Sequence, residues 1–286
     1  MKAWPIILLY FTLYFNIQVS HSQLLWKIEK PGHPKSYLFG TMHMVPKSKF
    51  NFITQYKSIL DSCSQLFEEV LIDELSFSNR VELAQLARLP DGKRLQDILS
   101  ASEYKQIANL FLNDLHLSTF KWQQLQYLQP IMLESLLMEQ CFKSYIIPET
   151  YFYKRFKKQN KHCNSLESAR KQMTLLSAIP IPQQTQSFNT SWQEFKSQCD
   201  SMLQLYLSGK IEELYKITTQ SYTPQLMESL LNSRNRTWLS VLISNLPRAS
   251  CFIAVGAAHL PGTNGLIELL KAQGYSLTPV MAHKNY

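Results

Sequence analysis

The alternation of apolar and polar positions predicts strands near both ends of the chain. Apolar segments at 24–29 and 36–39 flank a proline- and glycine-containing turn at 31–34, which predicts a β-hairpin. The unbroken apolar run at 251–255 is typical of a strand that is buried on both faces. Further strands are predicted at 65–72, 162–167 and 275–280.

The middle of the chain shows the 3.6-residue periodicity of amphipathic helices. Pro130 is expected to kink or divide the long helical segment 118–141, and Gly209 is a suitable residue just beyond a helix end. The predicted helices are 50–63, 79–89, 103–115, 118–141, 149–158, one from 168, 189–207, 224–245 with a break near Asn232, and 266–272. The order of these strands and helices along the chain therefore predicts an α/β protein with a helical middle segment between two α/β segments.

The first 22 residues have the pattern of a secretory signal peptide. Lys2 precedes an apolar run at 6–17, and small residues follow it up to Ser22. The run is shorter than the roughly 20 apolar residues that span a bilayer. We therefore expect cleavage near Ser22, a single α/β domain over 23–286, no transmembrane segment in the mature chain, and a secreted or periplasmic location.

The charge and the cysteines exclude some partners and sites. The formal net charge is +8, and part of the basic excess lies among aromatic residues at 151–158. That segment fits an amphipathic helix with a solvated basic face, so no nucleic-acid partner is expected. Five cysteines are present without a C-x-x-C pair, which argues against a zinc ribbon or a thioredoxin-type centre and leaves the disulfide pattern open.

Two Gly-x-x-His sequences follow apolar runs at opposite ends of the chain. Gly40 leads to His43, and Gly256 leads to His259. Glycine lets the backbone leave a strand sharply, and ligands of open α/β sheets bind at the carboxyl ends of the strands. We therefore expect the two histidines to point into one pocket. A single such histidine would more often be a hydrogen-bonded structural residue.

Acidic residues interrupt two of the predicted strands. Glu68 and Glu69 lie in 65–72, where only one of them can face a given side, and Glu167 ends 162–167. A buried carboxylate needs a partner or a metal, although each of these acids can also be an exposed edge residue or a helix N-terminal charge. Two imidazoles and two carboxylates suit a divalent transition ion such as Mn²⁺, Co²⁺ or Zn²⁺. Such an ion would lower the pKa of bound water and polarise a carbonyl group.

Several other chemistries have no sequence signature in this chain. There is no G-x-S-x-G elbow, no H-E-x-x-H helix, no P-loop and no G-x-G-x-x-G sequence. Serine-histidine hydrolysis would also need a nucleophile that the sequence does not indicate.

The chain resembles the TraB/PrgY/GumN family, which includes the Tiki metalloproteases, over about residues 24–281. The segments that carry the resemblance are 25–27, 38–43, the Glu69 strand, 91–95, 166–169 with Gln172, Arg234-Asn235 and 255–262. The resemblance implies an α/β fold of the EreA/ChaN/Tiki type, with two related α/β halves that each supply one Gly-x-x-His and a helical insertion between them. It also implies that six residues approach one site: His43, Glu69, Glu167, Arg234, Asn235 and His259.

The resemblance and the residues together lead to the hypothesis of a secreted metal-dependent hydrolase that acts on a peptide or a small polymer. In Tiki-like members the site is a peptidase that is active with Mn²⁺ or Co²⁺, and Zn²⁺ is also compatible with these donors. His43 and His259 would be metal ligands, Glu69 and Glu167 would be ligands or the general base, and Arg234 would stabilise a developing oxyanion, with Asn235 beside it.

Two alternatives stay open. One is a protein that binds and sequesters a peptide or a saccharide through the same pocket without turnover. The other is a metal-free, esterase-like enzyme in which His43 is the base.

Overall fold

The computed structural model describes residues 24–280, so the proposed signal peptide at 1–22 lies outside the described residues. The strands are β1 (Leu25–Glu29), β2 (Ser36–Thr41), β3 (Val45–Pro46), β4 (Gln65–Glu68), β5 (Tyr145–Ile146), β6 (His162–Ser165), β7 (Cys251–Gly256) and β8 (Ser276–Pro279).

Six of these strands form one mixed sheet in the order β6-β4-β7-β2-β1-β8. β6, β4, β7 and β2 are parallel, whereas β1 is antiparallel to both β2 and β8. β7 lies between β4 and β2, and its residues Cys251 to Val255 are fully buried. The apolar run at 251–255 is therefore a central strand, as the sequence predicts.

Fifteen α-helices surround this sheet or pack on one another within residues 24–280. They are α1 (Asn51–Thr54), α2 (Lys57–Ser62), α3 (Phe77–Leu86), α4 (Leu95–Ile98), α5 (Ala101–Asn109), α6 (Thr119–Leu125), α7 (Pro130–Cys141), α8 (Pro148–Lys158), α9 (Ala169–Ser177), α10 (Ile181–Gln184), α11 (Trp192–Leu207), α12 (Ile211–Thr219), α13 (Pro224–Met227), α14 (Ser233–Asn245) and α15 (Leu266–Ala272). None of the helices in this part of the chain is long and apolar enough to cross a membrane.

The buried apolar residues form two main clusters. The sheet core joins the central strands to the helices that cover them and contains Phe39, Phe252 and Trp238. The helical cluster lies between helices of the middle segment and contains Trp122, Leu133 and other residues of α5 to α11. Met42 of the first Gly-x-x-His turn packs against both clusters, so this turn lies at their junction.

The structure confirms the mixed α/β class and most predicted elements, with differences at the boundaries. The predicted β-hairpin is β1-β2, and α6 ends before Pro130 begins α7. The predicted strand 65–72 was too long, because β4 ends at Glu68, and the predicted helix 50–63 is divided into α1 and α2. The relation between two α/β halves stays a prediction.

Candidate active site

The two Gly-x-x-His turns leave neighbouring parallel strands at the same edge of the sheet. β2 and β7 pair with Gly40 opposite Val255 and Thr41 opposite Gly256. β4 runs parallel to β7 on its other side. The carboxyl ends of three strands therefore meet here, which is where ligands bind in open α/β sheets.

Both glycines lie in close contact with neighbouring residues at this edge of the sheet. A Cβ atom at Gly40 would lie 3.1 Å from Cα of Ala257, and one at Gly256 would lie 3.2 Å from Oε1 of Glu69. Any side chain at the first position would press on the backbone of the second turn. Neither residue has a positive φ, so close approach and not backbone conformation favours glycine at both positions.

Glu69, the first residue after β4, is held by three donors. Its Oε1 accepts the backbone N–H of Gly256 at 2.7 Å. Its Oε2 accepts from Nη2 of Arg234 at 2.5 Å and from Nε2 of Gln172 at 3.0 Å. The carboxylate therefore links the end of β4 to the second turn and to helices α9 and α14.

Arg234 lies at the centre of a buried cluster, and all five of its guanidinium N–H groups have acceptors. Nε and Nη2 donate to Oε1 of Glu167 at 2.9 and 2.6 Å, and Nη2 also donates to Glu69. Nη1 donates to the carbonyl of Leu230 at 2.9 Å and lies 3.2 Å from Nε2 of His259. Because a guanidinium has five N–H donors, Arg234 has none left for a substrate in this arrangement.

The helix that carries Arg234 begins irregularly. A π-helical turn, Glu228–Asn232, precedes α14, where the sequence predicts a break near Asn232. Turns of this kind are frequent at functional sites. The guanidinium also lies over the ring of Trp238, 4.6 Å from its centroid, which adds a cation–π contact.

Asn235 fixes the orientation of the His259 ring. Its Nδ2 donates to the backbone carbonyls of His259 at 3.2 Å and Asn264 at 2.8 Å. Its Oδ1 therefore faces Nδ1 of His259, 2.7 Å away, and Nδ1 must carry the hydrogen. Nε2 then has a free lone pair that accepts from Arg234.

Burial lowers the pKa of His259 from 6.5 to about 3. The carboxylate of Glu69 opposes this shift, while the positive charges of Arg234 and His43 support it. The ring is therefore neutral at neutral pH, in agreement with a single hydrogen on Nδ1.

The pKa of Glu69 is lowered from 4.5 to about 2. Burial alone would raise it, but the positive charges of His259, Arg234 and His43 and the N–H of Gly256 outweigh burial. Because His259 is neutral above pH 3 or so, Arg234 is the buried cation that keeps Glu69 ionised at neutral pH.

His43 lies at the same edge of the sheet but outside the buried cluster. Its side chain is 70% exposed, and its Nδ1 is 3.7 Å from Oε1 of Glu149. This carboxylate raises the pKa of His43, although the exposure of the ring allows water to screen the effect. The structure thus joins five of the six predicted site residues by direct contacts and places His43 beside a different acid.

Glu149 is a residue of this edge that the sequence did not indicate. It follows Pro148 at the start of α8, and its Oε1 accepts from Oγ1 of Thr41 at 2.5 Å. Its Oε2 is buried without a hydrogen-bond partner. In the sequence, Glu149 is only the first residue of a predicted helix. Its neighbours in space, Thr41 and His43, are more than 100 positions away along the chain, so no local pattern indicates the contact.

Glu68 does not belong to the buried cluster. It is 3% exposed, its Oε1 has no hydrogen-bond partner, and burial raises its pKa to about 9. The negative charges of Glu149 and Asp73 act in the same direction. The alternation of side chains along the strand did not show which of the two glutamates contacts the other predicted site residues. The structure shows that Glu69, and not Glu68, pairs with Arg234.

The cluster as arranged does not fit a metal ion. Among residues 24–280, no group of three or more histidine, cysteine, aspartate or glutamate side chains has the geometry to hold one. Both oxygens of Glu69, one oxygen of Glu167 and Nε2 of His259 accept from N–H donors. Oε2 of Glu167 alone is buried without a partner in this cluster. The four predicted ligands, His43, His259, Glu69 and Glu167, stay a prediction.

The chain matches one known family over almost all of the described residues. A profile of the TraB/PrgY/gumN family matches residues 24–279. The chain belongs to this family. All residues of the buried cluster and of the two Gly-x-x-His turns lie within the matched range of this TraB/PrgY/gumN chain.

Curated relatives of this family member are similar over most of its length. Metalloprotease TIKI2 of Danio rerio is 20% identical over 91% of the chain, and metalloprotease TIKI1 of Homo sapiens is 20% identical over 90%. A metalloprotease TIKI homolog of Amphimedon queenslandica is 23% identical over 90%. The matched region covers 61% of each of these relatives. No solved structure is significantly similar to the chain.

Proposed function

We propose that this chain is a secreted hydrolase that cleaves peptide bonds at the carboxyl edge of its sheet. The observation that carries the proposal is that exposed His43 lies at the same sheet edge as a buried, hydrogen-bonded cluster of Glu69, Glu167, Arg234 and His259. Membership of the TraB/PrgY/gumN family and the names of the metalloprotease relatives support the reaction class.

His43 is the group in the proposed site that a substrate can reach. Its imidazole transfers the proton between water, the scissile bond and the leaving amine, as histidines do in general acid–base catalysis. Glu149 lies against Nδ1 and keeps the other ring nitrogen, Nε2, directed away from the acid. Thr41 holds the carboxylate of Glu149 in place through its hydroxyl.

Without a bound ion, the buried cluster acts as a rigid support. Arg234 positions Glu69, Glu167 and His259, and Asn235 holds His259 from the other side. Because every N–H of Arg234 is already used, oxyanion stabilisation by Arg234 would require it to leave one of these acceptors. We therefore assign Arg234 and Asn235 positioning roles.

A divalent ion, with Mn²⁺ or Co²⁺ favoured over Zn²⁺, belongs to the proposal as a requirement to be measured. Nε2 of His259, Oε2 of Glu69 and Oε1 of Glu167 become available to an ion only when Arg234 gives up its contacts with them, whereas Oε2 of Glu167 has no partner. The metal and the guanidinium therefore compete for the same atoms.

The test is cleavage of a peptide library by the exported chain, followed by mass spectrometry. The protein is first treated with EDTA and then assayed alone and with Mn²⁺, Co²⁺ or Zn²⁺. His43→Ala and His259→Ala are compared with His162→Ala, which removes an exposed ring at the start of β6. With added Mn²⁺ or Co²⁺ we expect cleavage by the wild type and by His162→Ala. The cleavage rate of the two site variants should be at least about 100-fold lower.

Other outcomes separate the alternatives. Cleavage that survives EDTA and needs no added ion supports a metal-free enzyme that uses His43. Peptide binding without cleavage under every metal condition contradicts the proposal and supports a sequestering protein.

A further inference from the structure

Two buried cysteines of the helical cluster face each other. Cys141 is the last residue of α7, and Cys199 lies within α11. Their Sγ atoms are 2.7 Å apart, and the residues are 7% and 6% exposed. Sγ of Cys141 is much farther, 3.8 Å, from the carbonyl of Leu137 within its own helix. The side chains therefore point at each other. The 2.7 Å between the sulfurs is closer to the length of a covalent S–S bond, about 2.05 Å, than to the 3.8 Å contact with Leu137.

Thiolates are the nucleophiles of disulfide exchange, and either cysteine of the pair can supply one before the two helices close over the sulfurs.

We propose that Cys141 and Cys199 form a disulfide bond that joins α7 to α11. The thiolate of one of the two cysteines attacks a small disulfide such as glutathione disulfide, which forms a mixed disulfide and releases one glutathione thiolate. The other cysteine then loses its proton and attacks the protein Sγ of the mixed disulfide, which releases the second glutathione. Two protein thiols are oxidised to one disulfide, and one glutathione disulfide is reduced to two glutathione molecules.

The burial of the pair places the reaction during folding, before α7 and α11 close over the sulfurs. The secretory signal predicted at 1–22 would bring the chain into an oxidising compartment, where disulfides form and persist. The inference itself rests on the geometry of the pair and does not depend on the proposed function.

The bond would stabilise the region that supports the first Gly-x-x-His turn. The two cysteines are 58 positions apart, so the bond closes a long loop of the unfolded chain. After Cys141 the chain continues through β5, which pairs with β3, and reaches Glu149. Met42 packs against the helical cluster that contains the pair. The disulfide would therefore stabilise the segments that carry His43 and Glu149.

The other cysteines have different surroundings. Sγ of Cys251 contacts the carbonyl of Ala249 at 3.3 Å, and Sγ of Cys163 contacts the carbonyl of Lys161 at 3.9 Å. We expect these two and Cys63 to remain thiols, so that one disulfide and three thiols make up the five cysteines.

The test is a disulfide map of the full chain refolded from urea with glutathione disulfide. Free thiols are alkylated under denaturing conditions, and the unreduced digest is analysed by mass spectrometry. We expect one linked pair of peptides containing Cys141 and Cys199, and alkylation at Cys63, Cys163 and Cys251. Five alkylated cysteines, or a link between any other two, would overturn the proposal.

A thermal comparison gives a second readout. Wild-type protein refolded with the oxidant is expected to melt roughly 5 °C or more above protein refolded without it. Cys163→Ser, the matched control, should keep this difference, and the double variant Cys141→Ser/Cys199→Ser should lose it. An oxidant effect that survives in the double variant contradicts the proposal. If the double variant does not fold, the peptide maps of wild type and Cys163→Ser still decide.

Discussion

Asn235 holds His259 at two points, because its Oδ1 accepts from Nδ1 at 2.7 Å and its Nδ2 donates to the His259 backbone carbonyl at 3.2 Å. One amide side chain thus sets both the tautomer of the ring and the position of the turn that carries it. The buried cluster is built from such paired contacts, and the loss of each contact should have a measurable effect.

Asn235→Ala should lower the free energy of unfolding by about 2–4 kcal/mol, because it leaves Nδ1 of His259 and two backbone carbonyls buried without partners. Urea denaturation measures the change. Asn113→Ala, at an exposed position near the end of the π-helical turn Leu110–Asp114, is the control and should change stability by less than about 0.5 kcal/mol. A loss no larger than the control's would show that Asn235 does not hold the ring.

Stability should fall as the pH is lowered through the range in which His259 would be protonated. In the unfolded chain the ring titrates near 6.5, whereas in the folded protein its pKa is about 3. The unfolded state binds more protons between these values, so the folded state gains stability as the pH rises through this window. Glu69, with a folded pKa of about 2 against 4.5, extends the same trend to lower pH.

The measurement is the free energy of unfolding in urea at pH 6 and pH 4.5. We expect the wild type to lose about 2 kcal/mol more over this interval than His259→Gln, since one proton difference is worth about 1.4 kcal/mol per pH unit. His162→Gln is the control and should follow the wild type. Equal slopes for wild type and His259→Gln would mean that His259 is not buried in its neutral form.

Arg234→Met should be strongly destabilising, while Arg236→Met two residues away should not. The first change leaves the carboxylates of Glu69 and Glu167 without their cation, which costs about 3–5 kcal/mol when a buried pair is broken. Arg236 pairs with Glu228 at the surface, where an ion pair contributes about 0–1 kcal/mol. Urea denaturation of both variants checks the prediction, and similar losses would contradict it.

Removal of the guanidinium should free the atoms that are predicted to bind a metal. Arg234→Gln, in samples whose circular dichroism matches the wild type, should bind Mn²⁺ at least about 10-fold more tightly than the wild type does, because a positive charge leaves and carboxylate oxygens lose their donors. Isothermal titration calorimetry measures the affinities. If wild type binds Mn²⁺ as tightly as the variant, the ion does not compete with Arg234.

Glu149→Gln should lower the pKa of His43 towards 6.5, because the carboxylate beside Nδ1 raises it. The amide can still accept from Thr41, so the turn should keep its structure. Histidine titration by NMR gives the pKa, and the peptide assay shows whether cleavage falls with it. Glu228→Gln, at an exposed ion pair, is the control and should leave the titration of His43 unchanged. An unaltered His43 in Glu149→Gln would show that the pair does not interact.

Local sequence patterns were sufficient for most of the secondary structure. The central strand β7 is an unbroken apolar run, and α7 begins at the proline that the sequence marks as a division. Boundaries were less accurate. β4 stops at Glu68, and the next residue directs its carboxylate to Gly256 and Arg234, partners that no local pattern encodes.

Five of the six residues that the sequence singled out lie in contact, but the contacts themselves were not predictable. The sequence determined that two Gly-x-x-His turns follow strands, since glycine and apolar runs are local signals. Only the tertiary structure decided that β2 and β7 are neighbours, that Arg234 takes the acceptors expected for a metal, and that His43 is paired with Glu149. The reason is physical: strand order and the match between distant donors and acceptors depend on how the whole chain packs, whereas turns, caps and apolar periodicity depend on a few adjacent residues.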